Sequence, residues 1–134
     1  MSEENVEVVR RIWAALNEDP PRVLVDLFDE KAEIRNPSEF PLQGPFHGHE
    51  GVRIWAREVW EVFGGVHHEV DEVIDVGDGA TVVSVQRSQG RTRHMQIDTE
   101  WEWAAVFTLR RGKILRGQGF IRKAEALEAA GLSE

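Results

Sequence analysis

The longest alternating stretch of the chain runs from Ile97 to Leu109, IDTEWEWAAVFTL. Its odd positions are Ile97, Thr99, Trp101, Trp103, Ala105, Phe107 and Leu109, and its even positions open with Asp98, Glu100 and Glu102. Side chains alternate faces along a strand, so one face is large and apolar and the other begins strongly acidic. Ordinary strands have ~5–6 residues, so a run this long predicts an extended, curved central strand. Further strands are expected at His67–Val76, Ala80–Gln89 and Ile114–Ile121. Gly77-Asp78-Gly79 and Arg111-Gly112 read as hairpin turns between neighbours.

The first half follows a helical period instead. Val6, Val9, Ile12, Trp13 and Leu16 predict an amphipathic helix from Ser2 to Asn17, with Ser2 as its cap and Glu3 and Glu4 in its first turn. Pro20-Pro21 breaks the chain, and Val23, Leu24, Leu27 and Phe28 then give a short second helix its apolar face. Ala32–Arg35 is a short strand ended by Asn36-Pro37. From Asn36 to Gly51 prolines and glycines alternate with Phe40, Leu42 and Phe46, an irregular loop of the kind that closes over something. Val52, Trp55, Val59, Trp60 and Phe63 mark a third helix from Gly51 to Phe63, stopped by Gly64-Gly65. Glu125–Ala130 forms a short closing helix. The expectation is one α+β domain over residues 1–134: three N-terminal helices packed on a strongly curved antiparallel sheet, enclosing a conical cavity.

Composition narrows the partners. The 134 residues carry a net charge of -8, which argues against a nucleic acid, whose binding rests on Lys and Arg neutralising phosphates. Absence of cysteine excludes disulfides, thiolate catalysis and Cys-ligated metals. The start MSEENVEVV is unlike a signal peptide and no apolar run approaches ~18 residues, so no membrane is expected and a cytoplasmic location follows by default.

The order of elements carries a resemblance. NVEVVRRIWAALN as opening helix, LVDLFDEKAEIRNP into the first strand, FHGHEGVRIW into the third helix and FTLRRGKILRGQGFIRKAEALEAAGL as last hairpin and tail resemble the SnoaL-like polyketide cyclase branch of the NTF2-like superfamily, which includes the ketosteroid isomerases. The resemblance implies an NTF2-like cone, a homodimer through the outer sheet face in the manner of the superfamily, and a pocket for a small, largely apolar, cyclic or aromatic molecule. An enzyme of this kind would be a cofactor-independent cyclase, isomerase or dehydratase. The isomerase residues themselves are replaced: Trp13 stands where a Tyr donates to the oxyanion, Asn36 where an Asp before Pro is the general base, and Ala105 near the second acid. An amide cannot take up a proton near neutral pH, so isomerase chemistry is not expected.

Of the remaining polar groups, His47, His49 and Glu50 in FHGHEG could ligate a metal or simply sit in a solvated loop capping a helix, and no metal is expected. His67 and His68 begin a strand and point to opposite faces. His94 is placed in an exposed bend, and Glu100 and Glu102 on the solvated face. On the last strand Arg116, Gln118 and Phe120 share one face and Gly117 and Gly119 the other. The glycines are assigned to an outer, dimerising face and Arg116, Gln118 and Phe120 to the cavity, a parity that one bulge would reverse. The candidate pocket is therefore Trp13, Asn36, Trp55, Gln86, Trp101, Trp103, Ala105, Phe107, Arg116, Gln118 and Phe120, with Ser84 as a further candidate. It is an apolar setting with few polar groups, as small-ligand sites are. The opposing reading is a cone simply filled by its aromatics, leaving a non-catalytic or dimerising domain.

Overall fold

The computed structural model describes residues 2–18, 20–40, 42–62, 65–91 and 98–132. Helix α1 (Ser2–Leu16) leads through a 3-10 turn (Val25–Leu27) to β1 (Phe28–Arg35), β2 (Phe46–His47) and α2 (Gly48–Val62). Strands β3 (Val66–Asp75), β4 (Thr81–Arg91), β5 (Asp98–Arg110) and β6 (Lys113–Phe120) follow, and α3 (Lys123–Ala129) closes the chain. The long alternating stretch is indeed the interior of the sheet, whose order is β2-β1-β6-β5-β4-β3.

Three features depart from the expected fold. The second N-terminal helix is only the 3-10 turn. So short a helix has little propensity of its own to set against a costly nucleus, and Phe28, Ala32 and Ile34 instead bury one face of an eight-residue strand. The sheet is mixed, because β1 runs parallel to β6 while the β3–β4–β5–β6 meander is antiparallel. Apolar alternation says which face of a strand is buried but nothing about the direction of its neighbour. Finally, the helices do not share a face. Helices α1 and α2 pack Val9, Ile12, Trp13, Leu16, Val52 and Trp55 onto the inner face with Phe28, Ile34, Trp103, Ala105, Phe107 and Leu109. Helix α3 packs Ala126 and Leu127 on the opposite face, over Val83, Val85 and Ala104.

A bulge decides the parity of β6. Leu109 pairs with Ile114 but Thr108 with Arg116, so Leu115 is the extra residue. Ile114 faces inward before the bulge, and Gly117 and Gly119 face inward after it. The inserted residue thus flips every later side chain. A Cβ on Gly117 would lie 3.1 Å from both Ile34 and Phe107, and one on Gly119 2.7 Å from Pro37 and 3.0 Å from Trp103. These glycines let aromatic rings lie against the backbone of β6. They do not present it to a second copy.

Candidate functional site

The inner positions of β4 are Val82, Ser84, Gln86 and Ser88, all buried. Val82 joins the apolar core, and the three polar side chains after it organise the aromatic rings around them. Trp13 Nε1 donates to Ser84 Oγ at 3.1 Å, and Ser84 donates on to Gln86 Oε1 at 2.8 Å. Trp103 Nε1 donates to Ser88 Oγ at 2.7 Å, and His68 Nδ1 lies 2.7 Å from the same oxygen. Trp55 Nε1 donates to Asn36 Oδ1 at 2.9 Å. An indole N–H is a donor only, so each bond fixes a ring that would otherwise bury an unpaired group.

His68 is the titratable member of this network. It faces inward from β3, 8% exposed, while His67 is exposed on the other face. Asn17 grips its backbone from both sides: Nδ2 donates to His68 O at 2.7 Å and Oδ1 accepts from His68 N at 2.6 Å. The imidazole packs 4.8 Å from the Trp13 ring and 6.5 Å from that of Trp103. Burial among these rings, aided by the nearby His67, lowers its pKa from 6.5 to about 3, so it is neutral near pH 7. The Ser88 hydroxyl has one proton and two acceptor lone pairs, so beside the bond from Trp103 it can either donate to His68 Nδ1 or accept from it. The other ring nitrogen, Nε2, has no hydrogen-bond partner among the described residues.

Among the described residues, small spaces remain inside the cone, two of them bordered by Leu16, Asn36, Trp55 and Trp103. His68, Phe40, Trp60 and Trp101 also border the first; Trp13, Ala105 and Phe107 border the second. Each offers about 20 Å³, room for one water rather than a ring system. The aromatics largely fill the cone, and Phe40 completes the filling. Its ring sits 6.1 Å from that of Trp101 and 6.0 Å from that of Trp103. Asn36 holds the Phe40 loop in place, its Nδ2 donating to Leu42 O and its backbone N–H to Gln43 O at 3.1 Å. Gln43 in turn donates to Ser38 O at 2.9 Å.

The structure therefore gathers Trp13, Asn36, Trp55, Trp101, Trp103, Ala105 and Phe107 around the two spaces. Gln86 is fully buried beyond them, and its Nε2 has no partner among the described residues. Arg116 and Phe120 are corrected, since the bulge sends both to the outer face. Arg116 is exposed there and Phe120 packs against the α3 cluster. Gln118 shares their parity but still borders the second space beside Asn36, and its Nε2 donates to Gly119 O at 3.0 Å. His68 and Ser88 enter the site without having been singled out for it. Ser88 was legible as the next inward position after Gln86. Of the loop histidines, His47 is exposed and His49 Nε2 is bonded to Phe28 O at 2.8 Å. No group of three His, Cys, Asp or Glu that could hold a metal occurs among the described residues. Glu100 and Glu102 are solvent-facing as expected, and His94 lies outside the described residues.

Residues 9–117 match the family described as the SnoaL-like domain. The chain belongs to that family. No curated protein matches it. Among solved structures it is similar to Bal32a from a soil-derived mobile gene cassette, at 24% identity and TM-score 0.80 over 96% of each chain. TerC, co-crystallised with polyporic acid, is 21% identical with TM-score 0.75, covering 93% of this chain and 96% of its own. A ketosteroid isomerase-like fold from Catenulispora acidiphila, in complex with trimethylamine, is 19% identical with TM-score 0.75 over 94% and 93%. At these identities the likeness is one of fold. Trp13, Asn36 and Ala105 do meet around one space, the second, so the positions expected to hold isomerase groups are neighbours here. No Asp or Glu borders either space among the described residues. No helix is long and apolar enough to cross a membrane.

Proposed function

We propose that this SnoaL-like protein binds a small organic molecule in the aromatic chamber behind Phe40, with His68 as its polar anchor. The observation that carries the reading is the His68 imidazole. Burial keeps it neutral, Ser88 and Asn17 orient it, and it borders a space walled by Trp55, Trp60, Trp101 and Trp103, with Nε2 left without a partner among the described residues. That nitrogen can pair with a hydroxyl or, in its N–H form, with a carbonyl oxygen of a ligand. Small molecules bound by two similar folds, polyporic acid and trimethylamine, support a ligand site in this scaffold. Entry requires Phe40 to swing out, since the space it leaves is too small for a ligand. Phe40 belongs to a loop pinned mainly through Asn36, so the cost of opening is local.

Binding is favoured over proton-transfer catalysis because a histidine with a pKa near 3 is a poor base at neutral pH and no carboxylate lines the site among the described residues. A catalytic role for His68 would be that of a positioned hydrogen-bond donor to a carbonyl, from Nε2 in the tautomer that carries the proton there. Titration of tryptophan emission with a panel of small cyclic ketones, phenols and alkylamines tests the reading. Saturable quenching is expected in the wild type, stronger with Phe40→Ala, which removes the plug, and weaker with Val59→Phe, which fills the chamber from α2. No saturable change in either the wild type or Phe40→Ala would mean the cone is a packed core.

A further inference from the structure

We propose that the ligand taken up behind Phe40 is a small organic cation whose methylated ammonium group sits among the rings of Trp55, Trp60, Trp101 and Trp103, in the room that Phe40 vacates. The inference rests on the binding reading above and narrows it to a ligand class. Aromatic faces carry partial negative charge and attract cations, most strongly where water is excluded. With Phe40 swung out, four indole rings border the space, and a ligand there meets aromatic groups rather than charged ones among the described residues.

The rest of the lining excludes the competing classes. An anion would find no Lys or Arg bordering this space among the described residues. A primary ammonium would bury three N–H groups that need acceptors, and Asn36 Oδ1, which already accepts from Trp55, has one lone pair left to offer. A nitrogen bearing three methyl groups has no N–H to satisfy and a weakly held hydration shell. His68 adds no competing positive charge, because it is neutral, and its Nε2 can pair with a hydroxyl on the same ligand. The chain's net charge of -8 raises the local concentration of cations over anions.

Calorimetric titration of the full chain with choline and with 3,3-dimethylbutan-1-ol separates charge from shape, since the two differ essentially in nitrogen against carbon. Choline is expected to bind at least tenfold tighter. Trp101→Leu should cost choline at least fivefold and the alcohol less than twofold. If that variant fails to fold, Trp60→Leu on α2 is expected to show the same selective loss. Equal or tighter binding of the alcohol overturns the ammonium assignment and leaves the chamber as a ligand site. Absence of binding by either compound, to the wild type and to Phe40→Ala, overturns both.

Discussion

Acidification should destabilise this protein well before its carboxylates titrate, and His68 is the reason. Above pH 6.5 the imidazole is neutral in both the folded and the unfolded chain and contributes no pH dependence. Below that value the unfolded chain takes up a proton that the folded one refuses until about pH 3, because Trp13 and Trp103 exclude water from the ring. The folded-state pKa is depressed, so stability is present above 6.5 and is lost as the pH falls through the window towards 3. Each pH unit inside that window costs ~1.4 kcal/mol. From pH 7 to pH 5 the loss is therefore about 2 kcal/mol, or roughly 8 °C in Tm at about 4 °C per kcal/mol for a chain of this size. The carboxyl pKa values of Asp29, Asp71 and Asp78 are lowered by their hydrogen bonds, to Lys31 and Arg110, to Arg87, and to Thr81 and Ala80 respectively. Their contributions are lost only as the pH falls past the ordinary carboxylate value, which leaves the range from 6.5 to about 4.5 to His68. Urea unfolding at pH 7, 6 and 5, followed by tryptophan emission, measures the slope. His68→Gln has no proton to take up, so its slope over the same range should be close to flat whatever its absolute stability. A flat wild type, or an equal slope in the variant, would show that His68 is not buried neutral.

Two further substitutions test the packing that positions the site. Gly119→Ala pushes a methyl against Pro37 and the Trp103 ring and should destabilise by ~1–3 kcal/mol as overpacking does. An unchanged Tm would return the glycine to the outer face. Ser88→Ala strands both the Trp103 N–H and His68 Nδ1 and should cost about 1–3 kcal/mol in urea unfolding, with an altered emission maximum. A loss of only a few tenths of a kcal/mol would mean that those groups find other partners.

The one-dimensional pattern was enough for much of this molecule. Alternation from Asp98 to Leu109 determined the central strand and which of its faces is buried, because side-chain direction follows from backbone geometry alone. The same holds for α1 and α2, whose apolar stripes recur every three or four residues, and for the meander, whose turns carry the glycines that a positive φ requires at Gly77, Gly79 and Gly112. Absence of an acid at positions 13, 36 and 105 was equally plain from the sequence, and the structure brings those positions together without adding one. Position 36 shows the limit of that reading: an amide there looked like a lost base, and in three dimensions it is the clamp that holds Trp55 and the Phe40 loop.

What the tertiary structure decided is of another kind. The single inserted residue at Leu115 turned Gly117 and Gly119 inward and Arg116 and Phe120 outward, and no local preference announces a bulge that only the pairing of β5 with β6 creates. The parallel pairing of β1 with β6 joins residues some eighty positions apart, so neither its direction nor its existence has a local signature. Whether α3 covers the inner or the outer face depends on which one α1 and α2 leave open. His68 is the sharpest case. Its inward parity could be read from the strand, but its neutrality and its hydrogen bonding arise from Asn17, Ser88, Trp13 and Trp103, contributed by three other elements, and only folding places them within hydrogen-bonding and van der Waals reach.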